Sequence, residues 1–133
     1  MADYTVKRID EMEASFGGSF KRARAELGVT SFGMQVIDFP PETKRYPEHD
    51  HAHDDQEEVF VVMSGRGAIE VDGERVELTP DVMIRVGAEA KRKITTDGEP
   101  MRILALSGKP GGVYEPSPNS KLGTPDPLAQ ASS

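Results

Sequence analysis

The feature that most constrains the fold is a series of short apolar segments in residues 32–106, separated by turn-forming residues. The clearest case is the segment 68–78, where Asp72-Gly73 is typical of a two-residue hairpin turn. This turn predicts two cross-strand pairs, Ile69 with Val76 and Glu70 with Arg75. Short strands at such close spacing indicate a β-sandwich or a β-barrel, and therefore an all-β fold.

Further strands are predicted on both sides of this hairpin. Residues 34–39 form a short apolar run that Pro40-Pro41 ends, and residues 82–86 and 101–106 alternate as strands do. Residues 59–63 are apolar on both faces, so this strand needs cover on both sides. The barrel interior can cover one face, and the N-terminal segment or a second copy of the chain the other. We therefore expect a homodimer.

Composition limits the class of protein and its partners. The chain has 133 residues and a formal net charge of -7, which argues against a nucleic-acid or membrane partner. It has no cysteine, which excludes disulfides and thiolate chemistry. The polar start lacks the apolar stretch of a signal peptide, and every apolar run is too short to span a membrane. These features predict a cytoplasmic protein with a single domain.

We expect this domain to have three parts. The N-terminal segment, 1–33, is helical or extended: residues 10–16 can form a short helix, and residues 20–27 a helical turn or an edge strand. Residues 34–108 form the barrel core. Residues 109–133 form a tail rich in proline and glycine, which we expect to be extended and partly mobile.

All three histidines lie close together, at His49, His51 and His53, and several carboxylates follow them. On a strand, His51 and His53 point to the same face, because side chains repeat every two residues. Glu58 is an odd number of positions from His53 and can join them only if the chain reverses at Asp54-Asp55, where two aspartates suit a turn. The expected result is two imidazoles and a carboxylate on adjacent strands.

Such a group suits one divalent metal ion with open coordination positions, such as Fe, Mn, Ni, Zn or Co. The neighbouring acidic residues favour a cation electrostatically. The predicted ligands are His51, His53 and Glu58. The alternative interpretation is that these histidines belong to a solvated loop with no ligand.

These residues resemble the first motif of the cupin superfamily, which runs His-x-His, three or four residues, Glu, six residues, Gly. His51-Ala52-His53, Glu58 and Gly65 match that spacing. The resemblance covers roughly residues 32–106. It implies a cupin jelly-roll β-barrel, also called a double-stranded β-helix, with a metal site inside it.

The motif leaves the choice of ligands open. A second register uses His49, His51 and Gln56, because some cupins have glutamine in place of the glutamate, although the gap from Gln56 to Gly65 is longer than the motif requires. Glu57 becomes the acidic ligand if the turn falls differently. His49, Gln56 and Glu57 are therefore alternates to the first set.

The second cupin motif is degenerate in this chain. Lys91-Arg92-Lys93 stands near the position of the family's third histidine, so the resemblance implies three of four expected protein ligands. One interpretation is a solvated basic patch that pairs with surface acids, as charge runs usually do. The other is a cation inside the barrel that binds an anionic ligand. Arg92 suits this role best, because its planar guanidinium can bind a carboxylate at two points.

Three functions follow as hypotheses. The first is a metal-dependent enzyme of the dioxygenase or isomerase type that acts on a small organic molecule, with Glu57 or Glu58 able to move protons. The second is a module that binds a small-molecule ligand without chemistry, which the missing histidine favours. The third is a structural or interaction role with a degenerate site.

Overall fold

The computed structural model describes residues 2–128, and its architecture is mostly β, as predicted. Nine strands within these residues form two antiparallel sheets, one with the order β1-β2-β3-β9-β4-β7 and one with the order β6-β5-β8. The strands are β1 (Ala14–Ser15), β2 (Phe20–Lys21), β3 (Gly33–Phe39), β4 (Glu57–Gly65), β5 (Gly67–Val71), β6 (Glu74–Leu78), β7 (Met83–Val86), β8 (Arg92–Thr95) and β9 (Met101–Gly108). No helix in residues 2–128 is long and apolar enough to cross a membrane.

The predicted hairpin is confirmed as β5 and β6. Asp72 has a φ of 49° and Gly73 a φ of 84°, both in the left-handed region that a two-residue hairpin turn of type I′ requires. Its register gives both of the expected pairs, Ile69 with Val76 and Glu70 with Arg75. A local signal of two residues therefore determines how these strands pair.

The core lies between the inner faces of the two sheets. Along β4, Phe60 and Val62 are buried in this core, while Val59 and Val61 on the opposite face are only half-buried. From the smaller sheet, Ile69 and other apolar side chains complete the core. The strand therefore has two apolar faces, as the sequence predicts, and only one of them is fully buried.

The outer face of the larger sheet has partial cover. A short helix, α1 (Ala23–Leu27), packs against β3, and Val36 is buried on that strand. On the same sheet Met83 is largely exposed. The homodimer stays a prediction, which light scattering on the purified chain measures directly.

The N-terminal segment contains both of the expected kinds of structure. Instead of a helix over residues 10–16, the chain makes a single 3-10 turn, Ile9–Glu11, and then pairs as β1 with β2. Phe16 and Gly17 both have positive φ, so the chain reverses there instead of continuing as a helix. Residues 20–27 contain both β2 and α1.

The tail packs on this segment. The carboxylate of Asp126 accepts hydrogen bonds from the backbone N–H groups of Phe16 and Gly17, at 2.9 and 3.0 Å. Ser120 is buried. Residues 120–126 of the tail are thus held against the N-terminal segment; the last residues, 129–133, lie outside the described residues.

Candidate metal centre

The segment before β4 runs alongside β8 and faces the barrel interior. His49 and Arg92 form an antiparallel bridge, with the His49 N–H donating to the Arg92 carbonyl at 3.0 Å and the reverse bond at 2.8 Å. The N–H of His51 donates to the carbonyl of Ala88 at 2.7 Å. Because side chains alternate along an extended segment, His49 and His51 share one face.

The predicted chain reversal is confirmed, but it begins earlier than expected. The N–H groups of Asp54 and Asp55 both donate to the carbonyl of His51, at 3.2 and 2.8 Å, and Asp55 has a φ of 56°. The turn therefore starts at His51 and includes His53. The side chain of His53 is 75% exposed and contacts Asp54.

As a result, the structure brings His49, His51 and Glu58 together. One ligand atom from each lies within 4.8 Å of the others. The Nε2 atom of His51 lies 3.2 Å from Oε1 of Glu58, which is close enough for both atoms to reach one ion. This set differs from the expected His51, His53 and Glu58, because the turn moves His53 away and the bridge with Arg92 places His49 beside His51.

The imidazoles of His49 and His51 each have a hydrogen-bonding contact at Nδ1 that fixes the ring. Nδ1 of His49 lies 3.0 Å from the carbonyl oxygen of Pro47, and Nδ1 of His51 lies 3.1 Å from Oδ1 of Asp54. If Nδ1 carries the proton in each ring, Nε2 is left free to coordinate. Histidine ligands of metals usually donate their second N–H to a carboxylate or a carbonyl in this way. The donor set and its supports therefore fit a divalent metal.

The remaining candidates lie elsewhere. Gln56 lines the cavity beside the group but is not part of it. Glu57 points to the opposite face of β4 and accepts a 2.9 Å bond from Arg85, so it cannot serve the site. A second group, His51, His53 and Asp54, also has metal-ligating atoms close together, but the exposure of His53 makes it the less enclosed of the two.

Arg92 lies inside the barrel. It is therefore not part of a solvated basic patch, which was one of the two interpretations of Lys91-Arg92-Lys93. Its side chain is 0% exposed. One terminal nitrogen donates to Oε1 of Glu58 and the other to the carbonyl of Gly87, both at 2.6 Å. Lys91 is exposed and Lys93 is half-buried on the other face of β8. Because both terminal nitrogens are occupied and Arg92 does not line the cavity, it does not offer the two-point grip expected for a ligand.

Two pKa shifts describe the electrostatics of the site. The hydrogen bond to Glu58, helped by Asp54, raises the pKa of His51 against the effect of partial burial. Without a metal, this imidazole is therefore stabilised in its protonated form between two carboxylates. Burial, and then the charge of Glu58, raises the pKa of Tyr46, so its hydroxyl remains a donor at neutral pH.

Sequence reasoning missed Tyr46 and the supporting role of Asp54. The ring of Tyr46 packs between those of Phe39 and His49, with centroids 5.5 Å from each, and it lines the same cavity. The one available signal was an aromatic residue three positions before the first histidine. The sequence predicts Asp54 only as a turn residue, and its contact with His51 depends on the exact geometry of that turn.

A cavity of about 1370 Å³ opens beside the histidines. Its lining includes Tyr46, His49, His51 and Glu58 together with Phe16, Phe20 and the tail residues Tyr114, Ser117 and Asn119. The mixed apolar and polar lining suits a small organic molecule.

Comparisons with known proteins agree with this architecture. The family model described as "Cupin domain" matches residues 35–107. A cupin protein from Bacteroides fragilis is 22% identical, with a TM-score of 0.69 over 88% of this chain and 93% of that one. No match was found among curated proteins.

Two further solved structures come from proteins with named roles. A structure titled as DMSP lyases RdDddP and RnDddQII is 27% identical, with a TM-score of 0.52 over 58% of this chain and 38% of that one. The Cupin_2 domain of an XRE family transcriptional regulator from Enterobacter cloacae is 21% identical, with a TM-score of 0.53 over 67% of this chain and 87% of that one.

Proposed function

The chain belongs to the cupin family, and from this premise we propose that it binds one divalent metal ion through His49, His51 and Glu58 and acts as an enzyme on a small organic molecule. The observation that carries the proposal is the convergence of the two imidazoles and the carboxylate at the wall of one cavity. The likeness to a structure titled as DMSP lyases supports an enzymatic role.

The chain's own residues have distinct tasks in this proposal. His49 and His51 present Nε2, while Pro47 and Asp54 fix the rings. A bound metal supplies Lewis acidity toward an oxygen of the substrate. Tyr46 can donate a hydrogen bond to such an oxygen, since its hydroxyl stays protonated. Phe16 and Phe20 offer apolar surface to the apolar part of the substrate.

The decisive experiment compares three variants of the same residue type. We expect the purified chain to bind one equivalent of Mn²⁺, Fe²⁺, Ni²⁺ or Zn²⁺ in calorimetric titration. His49→Ala and His51→Ala should each weaken metal binding at least about 100-fold. Each removes a direct ligand, and the loss of even a supporting contact weakens metal affinity about 10- to 100-fold. His53→Ala is the matched control and should bind as the unchanged chain does.

Three results would contradict this assignment. If none of the four metals binds, the metal proposal fails. If His53→Ala abolishes binding and His49→Ala does not, the ligands are His51, His53 and Glu58, as the cupin motif spacing indicates. Loss in all three variants would indicate that the group His51, His53 and Asp54 takes part as well.

A binding module without chemistry is the second candidate. The observation in its favour is Arg92, whose charge is already paired to Glu58 and leaves the centre one ligand short of the family's set. The likeness to a domain of a transcriptional regulator supports it. A thermal-shift screen of sugars, organic acids and phenolics, with and without metal, separates the two. A stabilising compound that the chain converts indicates an enzyme, and one that it leaves unchanged indicates a binding module.

A further inference from the structure

Arg92 places a permanent positive charge directly against the candidate metal centre. Its guanidinium is fully buried and bonded at 2.6 Å to Oε1 of Glu58. The guanidinium does not lose its proton in proteins. Its Nε has no hydrogen-bond partner among the described residues. Leaving a buried donor unpaired costs free energy, so the ion pair with Glu58 is the main compensation for burying this charge.

The contacts at Glu58 decide which atom remains for a metal. Arg92 and His51 both contact Oε1, at 2.6 and 3.2 Å. Coordination through this oxygen would bring the ion within a few ångströms of the guanidinium. A metal that binds Glu58 must therefore share this carboxylate with Arg92.

The charges then fail to balance when a metal enters. Glu58 is the only anion in the group His49, His51 and Glu58, and Arg92 already neutralises it. Asp54 contributes a further negative charge, but it does so from beyond the ring of His51 and is partly solvated. A bound divalent ion would therefore leave about two unbalanced positive charges at a half-buried position, which low-dielectric surroundings penalise.

From this arrangement, and resting on the proposed metal site, we infer that Arg92 makes metal binding depend on an anionic ligand. The ligand class is a small organic carboxylate, which coordinates at the open positions while its apolar body occupies the cavity. Arg92 is a positioning residue: it holds Glu58 and sets the local charge without touching the ligand. By linkage, metal and carboxylate must then strengthen each other's binding by the same factor.

The probes are Mn²⁺, benzoate and its uncharged analogue benzamide. Free Mn²⁺ is measured by electron paramagnetic resonance at constant ionic strength. For the unchanged chain, we expect benzoate to tighten Mn²⁺ binding at least about fivefold, a typical coupling between two sites, and benzamide to have little effect. Equal effects of benzoate and benzamide would overturn the inference, whatever the variants do.

Variants test whether Arg92 is the cause. Arg92→Gln removes the charge, so Mn²⁺ alone should bind at least about tenfold tighter, since even in water a unit and a double charge about 5 Å apart interact this strongly. The benefit of benzoate should shrink accordingly. Arg92→Lys retains the charge but cannot make both bonds of the guanidinium, and it should keep most of the benzoate effect. Lys93→Gln, on the other face of β8, removes the same charge at a distance and is the matched control.

The outcomes separate the two proposals. Mn²⁺ binding that is lost in His49→Ala but is no tighter in Arg92→Gln than in Lys93→Gln overturns the role of Arg92 and leaves the metal site intact. If neither Mn²⁺ nor any of the other three metals binds the unchanged chain, with or without benzoate, both fail. Far-ultraviolet circular dichroism of each variant shows whether it is folded.

Discussion

Two buried arginines, Arg92 and Arg22, each pair with a glutamate in almost the same way but serve different regions of the molecule. Arg92 donates to Glu58 at 2.6 Å and to a backbone carbonyl, and Arg22 donates to Glu13 at 2.7 Å and to the carbonyl of Thr124. Both arginines are at most 1% exposed, and neither Nε has a partner in residues 2–128.

What distinguishes them is the rest of each glutamate's surroundings. Glu13 also accepts a bond from the N–H of Gly123 at 2.9 Å, so the Arg22 pair joins the N-terminal segment to the tail. Glu58 instead faces His51 and the cavity. A buried ion pair therefore does not by itself mark a functional site; the additional partners of its carboxylate do.

The largest effect in this comparison should come from Arg92→Met. It leaves Glu58, whose side chain is 14% exposed, without its cation, and removing one member of a buried pair costs about 3–5 kcal/mol of unfolding free energy. Saturating Mn²⁺ should restore part of this loss, because the ion supplies the missing positive charge. Urea unfolding with and without Mn²⁺ measures both quantities. A loss that Mn²⁺ does not reduce would contradict the proposed coordination by Glu58.

Arg22→Met should cost somewhat less, about 3 kcal/mol. Its partner Glu13 is 38% exposed, so water can solvate the carboxylate that is left behind. Mn²⁺ should stabilise this variant no more than it stabilises the unchanged chain, because the pair lies outside the metal group. The same urea titrations provide the measurement. An Mn²⁺ response as large as that of Arg92→Met would remove the proposed difference between the two pairs.

How much the sequence could predict depends on how local each interaction is. The hairpin at Asp72-Gly73 was predictable to the residue, since two left-handed positions set its register. Glu58 was predicted to approach the histidines only through a turn at Asp54-Asp55, and the chain does turn there. In each case the deciding residues are neighbours in the chain.

The remainder depends on distant partners. The bridge between His49 and Arg92 and the bond from His51 to Ala88 determine which histidines face inward, and no local pattern contains them. Arg92 faces inward because it alternates with Lys93 along β8. Three consecutive basic residues do not show which of them lies on the inner face. Asp126 binds Phe16 across 110 positions of sequence, so the docking of the tail could not be derived from composition.

A third carboxylate–cation cluster, on the outer face of the larger sheet, should give the smallest effect. Asp38 on β3 lies opposite Arg102 on β9 and bonds to both Arg102 and Lys21, at 2.7 and 2.8 Å. Its side chain is 32% exposed, so Asp38→Asn should cost only about 1 kcal/mol at pH 7.

The pH dependence of that loss tests its origin. Burial alone would raise the pKa of Asp38, but the hydrogen bonds from Arg102 and Lys21 outweigh it and hold the pKa below its ordinary value of 3.8. A lowered pKa means that the carboxylate stabilises the fold fully above this ordinary value, and that the contribution disappears as the pH falls through the folded-state pKa. The difference between the unchanged chain and Asp38→Asn should therefore be constant near neutrality and shrink below about pH 4. Urea unfolding across this range measures it, with exposed Asp3→Asn as the control, and a difference that persists in acid would assign the loss to packing.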